Sequence, residues 1–319
     1  MRIYNKAILA EQARSFGFLM GPFEKMTRLT GILGFIHASK EMRESLALKG
    51  GTAINLTIFD LPRLSVDIDL DFTENLGREE TRAKRDRLGG LLERYMAAEG
   101  YTKHARSRHS HALDSYVYSY TNVSGNHDNI KVEINYSMRA HVFPAIEVAA
   151  RTSEVFEPFP VRTLSPVEIF AGKIKAFSER AAARDLYDLN NMVSSNLFSG
   201  SDIVRLRKCA VFYMAVSGET NAGGFDFGPI KNIGWRKIRT ELLPMIRNAE
   251  RFKLQPAIER VSSFLNEAFV LGEGDFNFLR QFMDGFYKPE LLFEDIDCVK
   301  RIESHPMALW RMQQINKQK

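Results

Sequence analysis

Residues 65–72 read Ser-Val-Asp-Ile-Asp-Leu-Asp-Phe, a strict alternation with the period of an extended strand. Val66, Ile68, Leu70 and Phe72 share one face; Ser65, Asp67, Asp69 and Asp71 share the other. Such a segment has to bury its apolar face in a sheet, and its register is fixed by that need. A solvated strand face is polar for solubility alone. Here, however, it holds three carboxylates, a serine and no basic residue. Asp67 and Asp69 stand ~6.6 Å apart along the strand. At close approach two carboxylates repel by about 4 kcal/mol at an effective dielectric near 20. A divalent cation such as Mg²⁺ or Mn²⁺ would offset that repulsion. In two-metal sites, ions ~3.5–4 Å apart clamp the attacking and leaving oxygens of a phosphoryl transfer.

A short strand over residues 45–48 leads into Gly50-Gly51, followed by Thr52 as the expected N-cap of a short helix through Ile58. Backbone N–H groups at a glycine turn before a helix attract phosphate. A bare Gly-Gly is otherwise an ordinary turn; its weight comes from lying one short helix and one loop before Asp67. Lys131-Val132-Glu133-Ile134-Asn135 forms a second alternating strand with Lys131, Glu133 and Asn135 on one face. If it pairs beside residues 65–72, Glu133 becomes a third metal-side acid or a general base; otherwise it is an incidental surface glutamate.

The chain has 319 residues, enough for two domains, and 45% of them are apolar, which describes a globular protein. The pattern predicts an α/β (α+β) chain with a mixed sheet flanked by helices, followed by a mostly helical C-terminal part. The expected domains are 1–164, with N-terminal helices, and 165–319. Helices are expected over residues 22–45 and 78–98, with strands over 101–110, 114–120 and 129–137. No apolar run reaches the ~18 residues of a membrane span, and the first residues do not read as a secretion signal. Two distant cysteines, Cys209 and Cys298, suit a reducing cytoplasm. The formal charge of +5 is compatible with a polyanionic partner but does not require one.

Ser165-Pro166-Val167-Glu168 is a helix start: serine cap, proline at the first position, glutamate three residues after the serine. The helix is expected to continue to at least Leu189. At ~100° per residue, Lys173, Phe177, Arg180 and Arg184 then form one stripe, suited to a triphosphate. The plainer alternative is a surface face with local pairs such as Arg184–Asp188, worth ~0.3–0.5 kcal/mol.

Taken together, these residues resemble the AbiEii toxin family, a branch of the polymerase-beta-like nucleotidyltransferases found in bacterial toxin–antitoxin and phage-defence pairs. The similarity rests on Leu48-Lys49-Gly50-Gly51-Thr52-Ala53 with Arg63-Leu64-Ser65-Val66-Asp67-Ile68-Asp69, on Lys131-Val132-Glu133-Ile134, on Ser165-Pro166-Val167-Glu168 with Lys173, and on Arg184-Asp185-Leu186-Tyr187-Asp188-Leu189. It covers roughly residues 45–190. The resemblance implies that Gly50, Gly51, Thr52 and Ser65 hold a nucleoside triphosphate and that Asp67 and Asp69 bind Mg²⁺ or Mn²⁺. It has Lys173 contacting phosphate and Asp185 or Asp188 completing the site beside Arg184. It makes Ser65 a candidate phosphate acceptor and leaves Asp71 without a role. Glu133 stands where many relatives have aspartate. By resemblance the acceptor is RNA, with the 3′ end of tRNA first, and a cognate antitoxin is the protein partner. A protein side chain or a small molecule is the alternative acceptor, and an inactive RNA-binding or regulatory module the alternative role.

Other features point elsewhere. His109 and His111 would share a strand face without His104, and no cysteine joins them as a zinc ligand. Residues 78–94, with interleaved charges, read as a solvated helix face. Arg106 and Arg108 beside Tyr116, Tyr118 and Tyr120 suggest either a nucleic-acid surface or, more simply, tyrosines packing on a sheet.

Overall fold

A computed structural model describes residues 3–152, 155–217 and 223–318. Met1 and Arg2, part of the stretch read for a secretion signal, lie outside them. The chain forms two compact units: Met1–Arg139 with Ala145–Leu164 and Pro244–Glu250, and Ala140–Pro144 with Ser165–Leu243 and Arg251–Lys319.

The first unit is built on a mixed sheet. Its strands are β1 (Leu46–Lys49), β2 (Asp67–Phe72), β3 (Thr102–Lys103), β4 (Arg108–His109), β5 (Leu113–Thr121), β6 (His127–Asn135), β7 (Ile146–Ala149) and β8 (Pro160–Thr163). They run in the order β3-β5-β6-β2-β1-β8-β7, with β4 also on β5. β2 is antiparallel to β1 and parallel to β6. The carboxylate strand is therefore central, as its fully buried Ile68 and Phe72 and nearly buried Leu70 require.

The helices of this unit are α1 (Lys6–Ser15), α2 (Met20–Ala38), α3 (Lys40–Ser45), the single turn α4 (Gly50–Ala53) and α5 (Arg78–Ala98). The single helix expected over residues 22–45 is in fact two, because Ser39 is extended (ψ 114°) between α2 and α3. Gly31 and Gly34 do not break α2. Each costs roughly 1 kcal/mol in a helix, whereas Phe23, Met26, Leu29, Leu33 and Ile36 are fully buried, each contributing about 1.5–3 kcal/mol. At Gly31 the helices meet: the Tyr95 hydroxyl of α5 donates to the Gly31 carbonyl at 3.2 Å, and Tyr95 stacks on Phe35 at 3.9 Å.

α2 and α5 both cover the side of the sheet that carries Asp114, Tyr116, Tyr118 and Tyr120. Arg85 of α5 grips Asp114, the Tyr116 hydroxyl lies against Gly89, and Arg28 of α2 sits 4.0 and 4.2 Å over the Tyr4 and Tyr120 rings. The three tyrosines are buried. They are core side chains, and base stacking is not open to them. Asp67, Asp69 and Glu133 lie on the opposite face.

Three local expectations change. The strand over residues 101–110 is two short edge pieces, β3 and β4, separated by a turn at Ala105 and Arg106. β7 is an additional edge strand. Thr52 is not the cap of the helix after the diglycine: Lys49 holds that position, and the turn continues as a π-helix over Ile54–Ile58.

The second unit is helical: α6 (Pro166–Arg180), α7 (Ala183–Ser194), α8 (Ser201–Ser217), the short turn α9 (Trp235–Lys237), α10 (Leu254–Ala268), α11 (Glu273–Met283), α12 (Ile296–Ile302) and α13 (Pro306–Gln318). α8 is its centre. Every residue from Cys209 to Val216 is buried, and α6, α11 and α13 pack on it. α6 starts as expected, with the Ser165 side chain accepting from the Glu168 N–H at 3.3 Å. Glu168 is buried and accepts from the backbone N–H groups of Val142 (2.9 Å) and Phe143 (3.3 Å), which fastens residues 140–144 to this unit. The expected continuous helix to Leu189 does not exist. Ala181 adopts a left-handed conformation (φ 44°), and α7 begins two residues later. Lys173 and Arg184 are thus on different helices, and the single cationic stripe is lost.

Candidate active site

Two constellations hold the residues singled out in the sequence, one in each unit. The first gathers at the junction of β1 and β2. Gly50 turns the chain with φ +69°, a conformation open to glycine at little steric cost. It has a second reason to be glycine. A Cβ on Gly50 would lie 2.5 Å from Oδ2 of Asp69, and a Cβ on Gly51 would lie 2.7 Å from Nη2 of Arg63. The missing side chains let the turn close directly onto the Asp69 carboxylate and the Arg63 guanidinium. Asn55 donates to the Gly51 carbonyl at 2.7 Å and holds the turn from the far side.

Thr52 and Ser65 lock this turn to the start of β2. The Thr52 hydroxyl donates to the Asp67 carbonyl and sits 2.8 Å from Ser65 Oγ. Both residues are buried. Ser65 therefore acts here as a structural tie below the aspartates, and its hydroxyl is not presented to solvent.

Asp67 and Asp69 are half-buried, two residues apart on one face of β2. Glu133 stands directly across from Asp69 in the parallel register, and Lys131 across from Asp67. Glu133 thus shares the face of Asp69, with Lys131 Nζ 2.8 Å from its Oε2. Lys49, opposite Asp69 in β1, reaches the buried Asp71 and forms an ion pair with it. Asp71, without a role in the sequence reading, is the partner of Lys49.

The second constellation lies in the helical unit. Lys173 Nζ is 2.8 Å from Asp185 Oδ1 and 3.0 Å from Asp188 Oδ2. Arg180 adds a contact from Nε to Asp185 Oδ2 at 2.8 Å. Burial pushes the Asp185 carboxyl up, but the charges of Lys173 and Arg180 outweigh it, and the pKa falls to about 2. Lys173, Asp185 and Asp188 are all nearly buried. Asp188 thus pairs with Lys173, not with Arg184, and Arg184 makes no ion pair among the described residues.

Two features escaped the sequence reading. Arg63 is 2% exposed and backs the diglycine; only its place two residues before Ser65 hinted at it. Arg180 was read as a phosphate contact and is instead a partner of Asp185.

No group of three or more His, Cys, Asp or Glu side chains among the described residues is arranged to hold a metal ion. The histidines at 104, 109 and 111 form no such group either. Two carboxylates on one strand face are nonetheless a fitting donor set for Mg²⁺, which is commonly bound by one or two carboxylates with substrate phosphates and water supplying the rest. On the β1 side the backbone of the turn at Gly50 packs directly against the Asp69 carboxylate.

A mixed sheet carrying paired aspartates beside a diglycine turn, with a helical C-terminal region, is the architecture of a nucleotidyltransferase. The chain belongs to the nucleotidyl transferase AbiEii toxin family of type IV toxin–antitoxin systems, whose model matches residues 38–267. Among solved structures it is similar to MenT4, a nucleotidyltransferase toxin from Mycobacterium tuberculosis. The match has a TM-score of 0.61 and 14% identity, over 96% of this chain and 99% of that one. No curated protein matches the chain. No helix among the described residues is long and apolar enough to cross a membrane.

Proposed function

We propose that this toxin transfers a nucleotide from a nucleoside triphosphate to the 3′ end of an RNA, with tRNA the leading acceptor, in the cytoplasm and under the control of a cognate antitoxin. The observation that carries the reading is the closure of the Gly50-Gly51 turn onto the face of Asp67 and Asp69. It sets the backbone of a diglycine turn beside two carboxylates on one strand face. Asp67 and Asp69 would hold Mg²⁺ or Mn²⁺, with Glu133 as an outer acid. When bound, the cation lowers the pKa of the acceptor hydroxyl and neutralises charge on the leaving pyrophosphate. The chain's own groups prepare that site. Gly50 and Gly51 admit the triphosphate, while Thr52 and Ser65 fix the start of β2 so that the aspartates keep their spacing. Within the helical unit, Asp185 and Asp188 fix the position of the Lys173 ammonium group, a candidate phosphate contact by family resemblance. Balanced in atoms, the acceptor oxygen bonds to the α-phosphorus as the bond to pyrophosphate breaks, and the hydroxyl proton leaves to base or solvent.

The test is incubation of total RNA with each radiolabelled triphosphate, using wild type, Asp69→Ala, and wild type with EDTA. Wild type labels RNA. The other two lose at least ~10³-fold of the rate, the scale of several kcal/mol of charge stabilisation. Label on protein or small molecules, and none on RNA, overturns the RNA acceptor. The buried Ser65 hydroxyl argues against self-modification at that residue.

A further inference from the structure

The sheet register extends the site sideways. Asp69 pairs with Glu133, Glu133 with Ser115, and Ser115 with Arg108. Residues paired across a sheet project to the same face. Arg108 therefore stands on the face of the aspartates, three strands away, or ~14 Å at the usual strand spacing. Between them β5 is uncharged on this face, with the buried Val117 flanked by serines. Ser115, Ser119 and Asn129 are half-exposed on this face, while the tyrosines of β5 point to the helices behind it.

The sheet edge beyond β5 is basic, and Arg108 is its cation on this face, while Lys103 and His109 pair with Tyr118 and Asp114 and project to the other. Residues 102–113 include Lys103, Arg106, Arg108 and three histidines and contain no acid. Lys103 is taken by Glu93 at 2.6 Å. Arg106 and Arg108 are exposed and make no ion pair among the described residues. Two uncompensated guanidinium groups at a sheet edge suit the phosphates of a strand lying across the sheet.

We infer that the acceptor RNA lies on this face, its reacting 3′ end at Asp67 and Asp69 and its backbone phosphates a few nucleotides upstream on Arg108 and Arg106. The inference rests on the RNA reading above. It gives that reading a direction: the acceptor leaves the site across β6 and β5 toward β4. The basic edge binds RNA through its backbone, so it contributes affinity without sequence preference.

The experiment compares wild type, the double variant Arg106→Ser/Arg108→Ser, and Arg82→Ser, an exposed arginine on α5 behind the sheet. For each, the affinity for total tRNA is measured against salt, together with the KM for RNA and for the triphosphate. The double variant is expected to lose about tenfold or more in RNA affinity. Its slope of log affinity against log salt flattens by roughly 0.7–0.9 per contact removed. Its triphosphate KM stays at the wild-type value, which also shows that the site is folded. Arg82→Ser behaves as wild type. An unchanged RNA affinity and slope in the double variant overturns the inference while wild-type labelling of RNA still stands. Equal losses in Arg82→Ser overturn it too, since the effect would then be general charge. If wild type labels no RNA at all, the RNA reading itself fails, and that result is distinct from both.

Discussion

Gly50→Ala separates stability from activity at one atom. The new methyl carbon would stand 2.5 Å from Asp69 Oδ2, where ordinary contact starts at 3.4 Å, so the carboxylate must retreat by about 0.9 Å. The backbone at φ +69° adds a left-handed penalty of about 1–2 kcal/mol. Part of that is recovered, about 0.4–1 kcal/mol, because alanine restricts the unfolded chain. The net loss is about 1 kcal/mol, a fall in Tm of roughly 2–4 °C for a chain of this size class. The catalytic loss is much larger. A misplacement near 1 Å of a positioning group costs on the order of 10²-fold. Gly125→Ala is the matched control. Its φ is +85° and no heavy atom lies within 4 Å of the added carbon, so it carries the backbone penalty without the obstruction. Thermal unfolding and labelled-triphosphate transfer are measured on both. Similar Tm losses with activity lost only in Gly50→Ala are expected. Wild-type turnover in Gly50→Ala, or equal activity loss in Gly125→Ala, would refute the reasoning.

Two further outcomes are expected. The Asp185 pKa lies at about 2, below its unfolded value near 3.9, so the unfolded state binds more protons between these values. The corresponding stability, about 2–3 kcal/mol, is present above pH 4 and lost as pH falls toward 2. Urea unfolding from pH 5 to 2 should show this slope in wild type and a shallower one in Asp185→Asn. Ala181→Gly removes a left-handed penalty of about 1–2 kcal/mol and gives back roughly 0.5–1 in chain entropy; a Tm unchanged or a few degrees higher is expected, and a clear fall would show that Ala181 makes a contact worth more than its strain.

The legible parts of the fold were those where one residue's environment is set by its near neighbours. β2 was readable because Ile68, Leu70 and Phe72 alternate with aspartates, which puts the apolar side chains on one buried face. α5 was readable because its charges interrupt a narrow apolar stripe. The break between α6 and α7 was not, because it falls on Ala181 and Ala182, good helix formers with no glycine or proline beside them. The ion-paired cluster of Lys173, Arg180 and Asp185 spans the break, and no sequence period encodes such a closure. β7 is four residues long with two exposed side chains, too short for its alternation to stand out. At the site, glycine and aspartate types were visible in sequence, but the partners that tie them down were not: Lys49 for Asp71, Lys131 for Glu133 and Asp188 for Lys173 are joined by pairing and packing.

The ribbon that finishes the first unit comes late. Residues 244–250 return to it: Met245 accepts from the Leu64 N–H at 2.8 Å, Ile246 bridges Arg63, Arg247 lies 4.8 Å over Phe18, and Asn248 N–H reaches the Gly17 carbonyl at 2.6 Å. During synthesis on the ribosome, the loop carrying Arg63 and Ser65 lacks its last brace until about four fifths of the polypeptide has emerged. Prematurely terminated products that stop after β8 would leave that loop unbraced.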